Sequence, residues 1–117
     1  MKVHVNTDTN IHGHEALAAR VSSAVEQVLE RFRDRISRVD VHLSDQNSGK
    51  GGEDDKRCVI EARLEGRPPF AATADSATLD QAVRECADKL ARQIDTQLGR
   101  LARHERSPEK PPAPTAG

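Results

Sequence analysis

Residues 56–66, KRCVIEARLEG, alternate between apolar and charged side chains. The apolar positions share one face of an extended chain and are Cys58, Ile60, Ala62 and Leu64. The opposite face is charged, with Val59 as its one apolar residue. A period of two is typical of a strand with one buried face. The stretch therefore predicts a strand that begins near Lys56.

The sequence on either side predicts three more strands. Residues 66–69, GRPP, form a turn, and 70–74 a short strand after it, because proline removes a hydrogen bond from a central strand. Residues 36–44 alternate as well, and the polar, glycine-rich stretch 46–55 between the two long strands indicates an exposed hairpin loop. Residues 1–6 alternate again and predict the first strand.

Two segments repeat apolar residues at helical spacing. The first covers residues 15–32, and the second ends near Leu101. Asp75 or Ser76 is expected to cap the second helix, and residues 78–81, TLDQ, have the spacing of a capping box.

The order β-α-β-β-β-α, with one apolar face on each strand, predicts an α+β fold. We expect a two-layer sandwich in which both helices pack on one face of a four-stranded mixed sheet. The first two strands should be parallel, because the helix between them makes a crossover connection. Residues 1–103 are expected to form one domain. Residues 104–117 are rich in proline and polar residues, and the prediction for them is a disordered tail.

Composition narrows the function classes. The chain has 117 residues, a formal charge of −1 and two cysteines, Cys58 and Cys86, in no metal-binding spacing. Both cysteines fall on predicted core faces, and no secretory signal or membrane-spanning run is apparent, so a cytoplasmic location is expected. The sequence contains no nucleophile elbow, P-loop, dinucleotide-binding or zinc-protease motif, and we expect no enzymatic activity.

Histidines are the candidate metal ligands. His12, His14 and Glu15 lie close together at a helix start, whereas His4 and His42 occupy the polar phase of two strands. A small metal-dependent enzyme is one interpretation. Solvated polar residues are the other, and the sequence favours it because no motif completes a ligand set. We therefore expect neither a metal nor another cofactor.

Cations are concentrated on the helices. At 100° per residue, a stripe of roughly 80° on the second helix holds Lys89, Arg92, Arg100 and Arg103. Such cations can bind phosphates, or they can complement the helix dipole and keep the surface soluble. Both phenylalanines are in phase with the core, so no aromatic platform for RNA bases is expected. RNA recognition would then depend on phosphate contacts and RNA shape.

The derived element order and three sequence segments resemble the ribosome hibernation-promoting factor and ribosome-associated inhibitor family. The segments are 88–94 (DKLARQI), 55–66 and 75–83, and the resemblance extends from Met1 to about Arg103. It implies a domain that occupies the small ribosomal subunit near the decoding centre and blocks mRNA and tRNA in stressed or resting cells. The implied partners are that subunit and its rRNA, with no membrane and no small-molecule substrate.

The resemblance transfers an rRNA-binding role to three residues of the matching motif, Lys89, Arg92 and Gln93. Exposed helix position adds Arg20, Arg31, Arg84, Arg100 and Arg103. The residues after Ala102 are too few and too proline-rich for the ribosome-dimerisation domain of longer relatives, so none is expected. A competing interpretation keeps the fold but makes the protein an adaptor that binds other proteins through the polar sheet face, around Arg57, Glu61 and Arg63.

Overall fold

The computed structural model describes residues 1–8, 14–45 and 55–106 and confirms the predicted order of elements. Within these ranges, one 3₁₀ turn, Glu30–Phe32, lies between the first helix and the second strand. The strands and helices are β1 (Lys2–Thr7), α1 (His14–Val28), β2 (Ile36–Asp45), β3 (Lys56–Leu64), β4 (Phe70–Ser76) and α2 (Leu79–Arg106).

The four strands form one mixed sheet in the order β1-β2-β3-β4. β1 runs parallel to β2, with Val3 opposite Val39, as the crossover argument predicts. The two remaining pairs are antiparallel, and Ile60 lies opposite Val41 on one side and Ala72 on the other. The register therefore places the apolar positions of all four strands on the same face.

Both helices cover this apolar face, which confirms the predicted two-layer α+β sandwich. α1 contacts β1 and α2, and α2 contacts β3 and β4. The centre of the core is aliphatic, since its largest fully buried side chains include Leu29, Ile60, Leu90 and Ile94. Burial of such side chains is the main stabilising contribution in a domain without disulfides. Cys58 and Cys86 are buried in the core, as expected.

The first helix ends earlier than its periodicity suggests. α1 stops at Val28, and a 3₁₀ turn follows in which the Phe32 amide donates to the Leu29 carbonyl at 2.9 Å. Helices often tighten in this way at their C-terminus. Leu29 and Phe32 stay buried, so the turn redirects the chain toward Ile36 without removing them from the core.

The start of α2 corrects the expected cap. Asp75 and Ser76 are not caps, because both belong to β4, where the Asp75 carboxylate accepts a hydrogen bond from Arg57. The cap is Thr78, whose Oγ1 accepts the Gln81 amide at 3.1 Å. The capping-box spacing therefore identified the correct helix start.

α2 ends later than predicted. It continues to Arg106, past Leu101, because residues 101–106 contain no helix breaker and the first one ahead is Pro108. The helix extends beyond residue 103, the predicted domain boundary. The tail from 107 onward lies outside the described residues, so its disorder stays a prediction.

The loop between β2 and β3 is less exposed at its end than expected. Asp55 is only 3% exposed, and its carboxylate accepts a hydrogen bond from Lys56 Nζ at 2.9 Å. This bond raises the pKa of Lys56. The sequence suggested an exposed loop through Asp55, but the ion pair allows this carboxylate to be buried. Residues 46–54 lie outside the described part of the chain.

Candidate nucleic-acid interface

The three motif residues of α2 lie together above the outer strand of the sheet. They line a shallow cleft between α2 and β4, and the complete lining is Phe70, Lys89, Arg92, Gln93, Thr96 and Gln97. The helical spacing of α2 places these side chains on the flank that faces β4. The structure thus brings Lys89, Arg92 and Gln93 into one site.

Lys89 is held in place by the sheet. Its Nζ donates a 2.9 Å hydrogen bond to the Thr73 carbonyl oxygen of β4. β4 is the last strand in the sheet order, so its outer edge has no neighbouring strand in the described structure. The bond fixes the direction of the lysine side chain while leaving its charge uncompensated, because a carbonyl carries no net charge.

The cleft is positively charged. Its lining contains two cations and no carboxylate. Glu85 lies one helical turn before Lys89, but its carboxylate accepts a hydrogen bond from Gln81 at 3.1 Å and does not pair with the lysine. Arg92 forms no ion pair with any side chain that the structure describes. An anion approaching the cleft therefore meets two cations that are not neutralised.

A second group of the predicted residues lies on the opposite flank of α2. Arg20 and Arg84 line a groove between α1 and α2 that also contains Asp80 and Asp88. Arg20 Nε lies 3.0 Å from Asp80 Oδ1, so this arginine is paired across the groove. Arg84 is separated from Lys89 by five residues, or about 140° around the helix. The groove is nearly neutral, in contrast to the cleft.

Arg31 is also paired with α2. Its Nη2 lies 3.4 Å from Asp95 Oδ2, and its guanidinium sits 4.6 Å from the centroid of the Phe32 ring. The ion pair and the cation-π contact together hold the side chain against the helices. An RNA phosphate that binds Arg20 or Arg31 must therefore compete with a carboxylate of α2.

Arg100 and Arg103 lie in the C-terminal part of α2, and their side chains are outside the described residues. Arg100 lies eleven residues beyond Lys89, and Arg103 lies eleven residues beyond Arg92. A step of eleven residues rotates a side chain by only about 20° around the helix. The backbone of α2 therefore continues the stripe, and the role of these two arginines stays a prediction.

Phe70 lies on the core side of its strand, as predicted, and it also lines the cleft. Its phase placed it in the core, and no aromatic surface for RNA was expected. The structure shows that Phe70 packs against the core but is only partly buried, and that it lines the cleft beside Lys89 and Arg92. Phe70 is the first residue of β4, the outer strand, and no further strand of the described structure covers its ring. In the sequence, Pro68 and Pro69 directly before it indicate that the strand starts at Phe70, because proline is disfavoured inside a central strand.

The exposed sheet face has a different character. Its cations pair with neighbouring acids, since Arg57 Nε lies 2.8 Å from Asp75 Oδ1 and Arg38 Nε lies 3.1 Å from Asp40 Oδ2. Its charges are thus largely balanced by residues of the same face. Arg63, also exposed, forms no ion pair with a described side chain.

The candidate metal ligands that the structure describes are not brought together. His4 and His42 are exposed on neighbouring strands, and within the described ranges no three His, Cys, Asp or Glu residues are grouped as a metal site requires. His12 and the side chain of His14 lie outside the described residues. None of the described helices has the length and apolar content needed to cross a bilayer.

Comparisons with known proteins agree with the fold. Residues 4–102 match the family described as sigma 54 modulation protein / S30EA ribosomal protein. The Thermus thermophilus Protein Y N-terminal domain has a similar structure, with a TM-score of 0.65 and 21% sequence identity, covering 83% of this chain and 99% of that domain. A ribosomal subunit interface protein from Coxiella burnetii gives a TM-score of 0.56 at 20% identity, covering 87% and 98%. No curated protein matches significantly.

Proposed function

The chain belongs to the sigma 54 modulation protein / S30EA ribosomal protein family, and we propose that it is a ribosome-associated translation inhibitor. The proposed partner is the small ribosomal subunit with its rRNA, and the proposed position is near the decoding centre. The proposed location is accordingly the cytoplasm. The solved relatives include a ribosomal subunit interface protein, which supports a ribosomal partner.

The observation that carries this proposal is the positive cleft on the β4-facing flank of α2. Its lining contains two cations and no carboxylate, and the cations are two of the residues that the family resemblance selects, Lys89 and Arg92. Charge-assisted hydrogen bonds from lysine and arginine to phosphate are among the stronger polar contacts. α2 therefore offers a preformed surface for an RNA backbone.

The proposed mechanism is steric. Phosphate contacts from α2 hold a rigid domain in the space that mRNA and tRNA otherwise occupy, and no covalent bond is made or broken. The aliphatic core that joins both helices to the sheet supplies the rigidity. Inhibition then depends on occupancy alone, so its strength follows the affinity for the subunit.

Co-sedimentation with vacant ribosomes tests the proposal. The wild-type protein should migrate with the small subunit at about 50 mM salt and be released toward about 200 mM, because phosphate-driven binding weakens with salt. The variant Lys89→Glu with Arg92→Glu should not migrate. The matched control is Lys2→Glu with Arg63→Glu, which reverses the charge of one lysine and one arginine on the exposed sheet face. This control should migrate as the wild type does.

Three outcomes contradict the proposal. Absence of the wild-type protein from the ribosomal fractions at both salt concentrations would reject a ribosomal partner and favour an adaptor that uses the sheet face. Migration of a folded Lys89→Glu, Arg92→Glu variant with the small subunit would reject the site. Loss of binding in the sheet-face control alone would move the interface to the other side of the domain.

A further inference from the structure

The cleft beside α2 contains more than phosphate-binding cations. One wall supplies two charges, from Lys89 and Arg92, and uncharged hydrogen-bonding groups from Gln93, Thr96 and Gln97. The floor supplies the partly buried ring of Phe70. This combination of cation, amide and aromatic ring in one concave surface differs from the groove between the helices, which has aliphatic walls and balanced charges.

Each part of the lining suits a different part of a nucleotide. The cations suit the phosphate, and the phenyl ring of Phe70 suits the flat face of a base. Glutamine amides both donate and accept hydrogen bonds, so Gln93 and Gln97 suit the edge of the base. In an RNA duplex the base faces are stacked on one another, the Watson–Crick edges are paired, and the major-groove edges lie deep in a narrow groove, so no base face is free to contact a phenyl ring. An unpaired nucleotide is therefore the ligand that uses the whole lining.

Two features prepare the cleft before any ligand arrives. The hydrogen bond from Lys89 to the Thr73 carbonyl fixes the lysine beside β4. Phe70 is held from below by the core, against which it packs, and lies opposite Ala62 of β3. Side chains that are already ordered lose less entropy on binding, which favours affinity.

We propose that this cleft binds one unpaired ribonucleotide of the RNA that the protein contacts, with the base stacked on Phe70 and the phosphate held by Lys89 and Arg92. The inference rests on the proposed function, because it takes rRNA as the source of the nucleotide. It adds a recognition element that phosphate contacts alone do not supply. The protein then distinguishes an exposed single-stranded segment from a duplex at this position.

The test compares RNA with and without bases. A labelled oligouridylate of about ten nucleotides, an abasic ribose-phosphate strand of the same length and a duplex of that length are titrated by fluorescence anisotropy. The proteins are the full chain, Phe70→Leu, Lys89→Gln with Arg92→Gln, and the charge-matched control Lys2→Gln with Arg63→Gln. Leucine keeps apolar contacts with the core and removes only the aromatic face.

The wild type should bind oligouridylate roughly 5- to 150-fold more tightly than the abasic strand, the range expected for one stacked base. Phe70→Leu should lose most of this ratio and keep its affinity for the abasic strand. Lys89→Gln with Arg92→Gln should weaken binding to both strands. The ratio is measured within one protein, so a partly unfolded Phe70→Leu sample lowers both affinities and leaves the ratio interpretable.

The inference is overturned if the wild type binds both strands equally, if it prefers the duplex, or if Phe70→Leu retains the wild-type ratio. Uridine monophosphate serves as the free-nucleotide arm, and binding as tight as that of oligouridylate would reject RNA as the source. Ribosome co-sedimentation separates the two proposals. A Phe70-dependent ratio without ribosome binding rejects only the proposed function, whereas ribosome binding without that ratio rejects only the nucleotide site.

Discussion

Replacing two carboxylates of α2 should strengthen binding to the small subunit. Asp80 and Asp95 pair with Arg20 and Arg31 at 3.0 and 3.4 Å, and all four side chains are more than half exposed. In the variant Asp80→Asn with Asp95→Asn, both arginines are released for phosphates. The prediction is a gain in affinity at little cost in stability, because exposed ion pairs each contribute only about 0.2–1 kcal/mol.

The size of the gain follows from Coulomb's law. A phosphate bound to either guanidinium lies about 6 Å from the competing carboxylate, which costs about 0.7 kcal/mol at the dielectric constant of water. Removal of one carboxylate then increases affinity about threefold, and removal of both about tenfold. Salt screens this repulsion, so the gain should shrink as ionic strength increases.

The assay is an equilibrium titration of labelled protein with small subunits at two salt concentrations, together with urea unfolding of each variant. The matched control, Asp40→Asn with Asp75→Asn, removes two ion-paired carboxylates from the exposed sheet face and changes the net charge equally. An unchanged affinity in the folded Asp80, Asp95 variant would refute phosphate contacts by the two arginines. An equal gain in the control would show that net charge alone is responsible.

Three further predictions concern stability, measured by urea unfolding. Leu90→Ala should lower the free energy of unfolding by about 3–5 kcal/mol, because Leu90 is fully buried; a loss below about 1 kcal/mol would contradict its central place in the core. Thr78→Ala should cost about 0.5–2 kcal/mol through loss of the α2 cap, and no loss would reject that cap. A hydrogen bond with Cys86 and burial raise the pKa of the Cys58 thiol above its ordinary value of 9.0, so unfolding releases a proton and stability should fall above about pH 9. Cys58→Ala should reduce this alkaline loss, and an identical pH profile would contradict the assignment.

Alternation in four segments and helical periodicity in two were together sufficient to predict most of the fold. Each strand shows one apolar face in the sequence, and the structure buries those faces against two helices whose periodicity was equally clear. Element ends were less predictable. The side chains of Asp75 and Thr78 both suit a helix cap, and only the pairing of Asp75 with Arg57 across the sheet decides between them.

The grouping of the candidate site residues required the tertiary structure. Helical spacing placed Lys89 and Arg92 on one stripe, which the structure confirms. The partners of Arg20 and Arg31 lie 60 and 64 residues away in sequence, and no local pattern relates them. The partial burial of Phe70 depends on β4 being the outer strand, and strand order is not encoded in the alternation of one strand.

The hydrogen bond from Lys89 to the Thr73 carbonyl also affects how the protein avoids aggregation. An outer strand with unsatisfied backbone groups is a template for pairing with another chain, and a lysine lying along it opposes such pairing. An incoming strand at β4 has either to displace the ammonium group from the Thr73 carbonyl or to bury it against the edge without water. Because an ammonium group has three N–H donors, Lys89 can bind a phosphate in the proposed complex while it keeps its bond to Thr73. RNA held there lies beside the same edge, and the ligand then adds to the protection that the side chain gives.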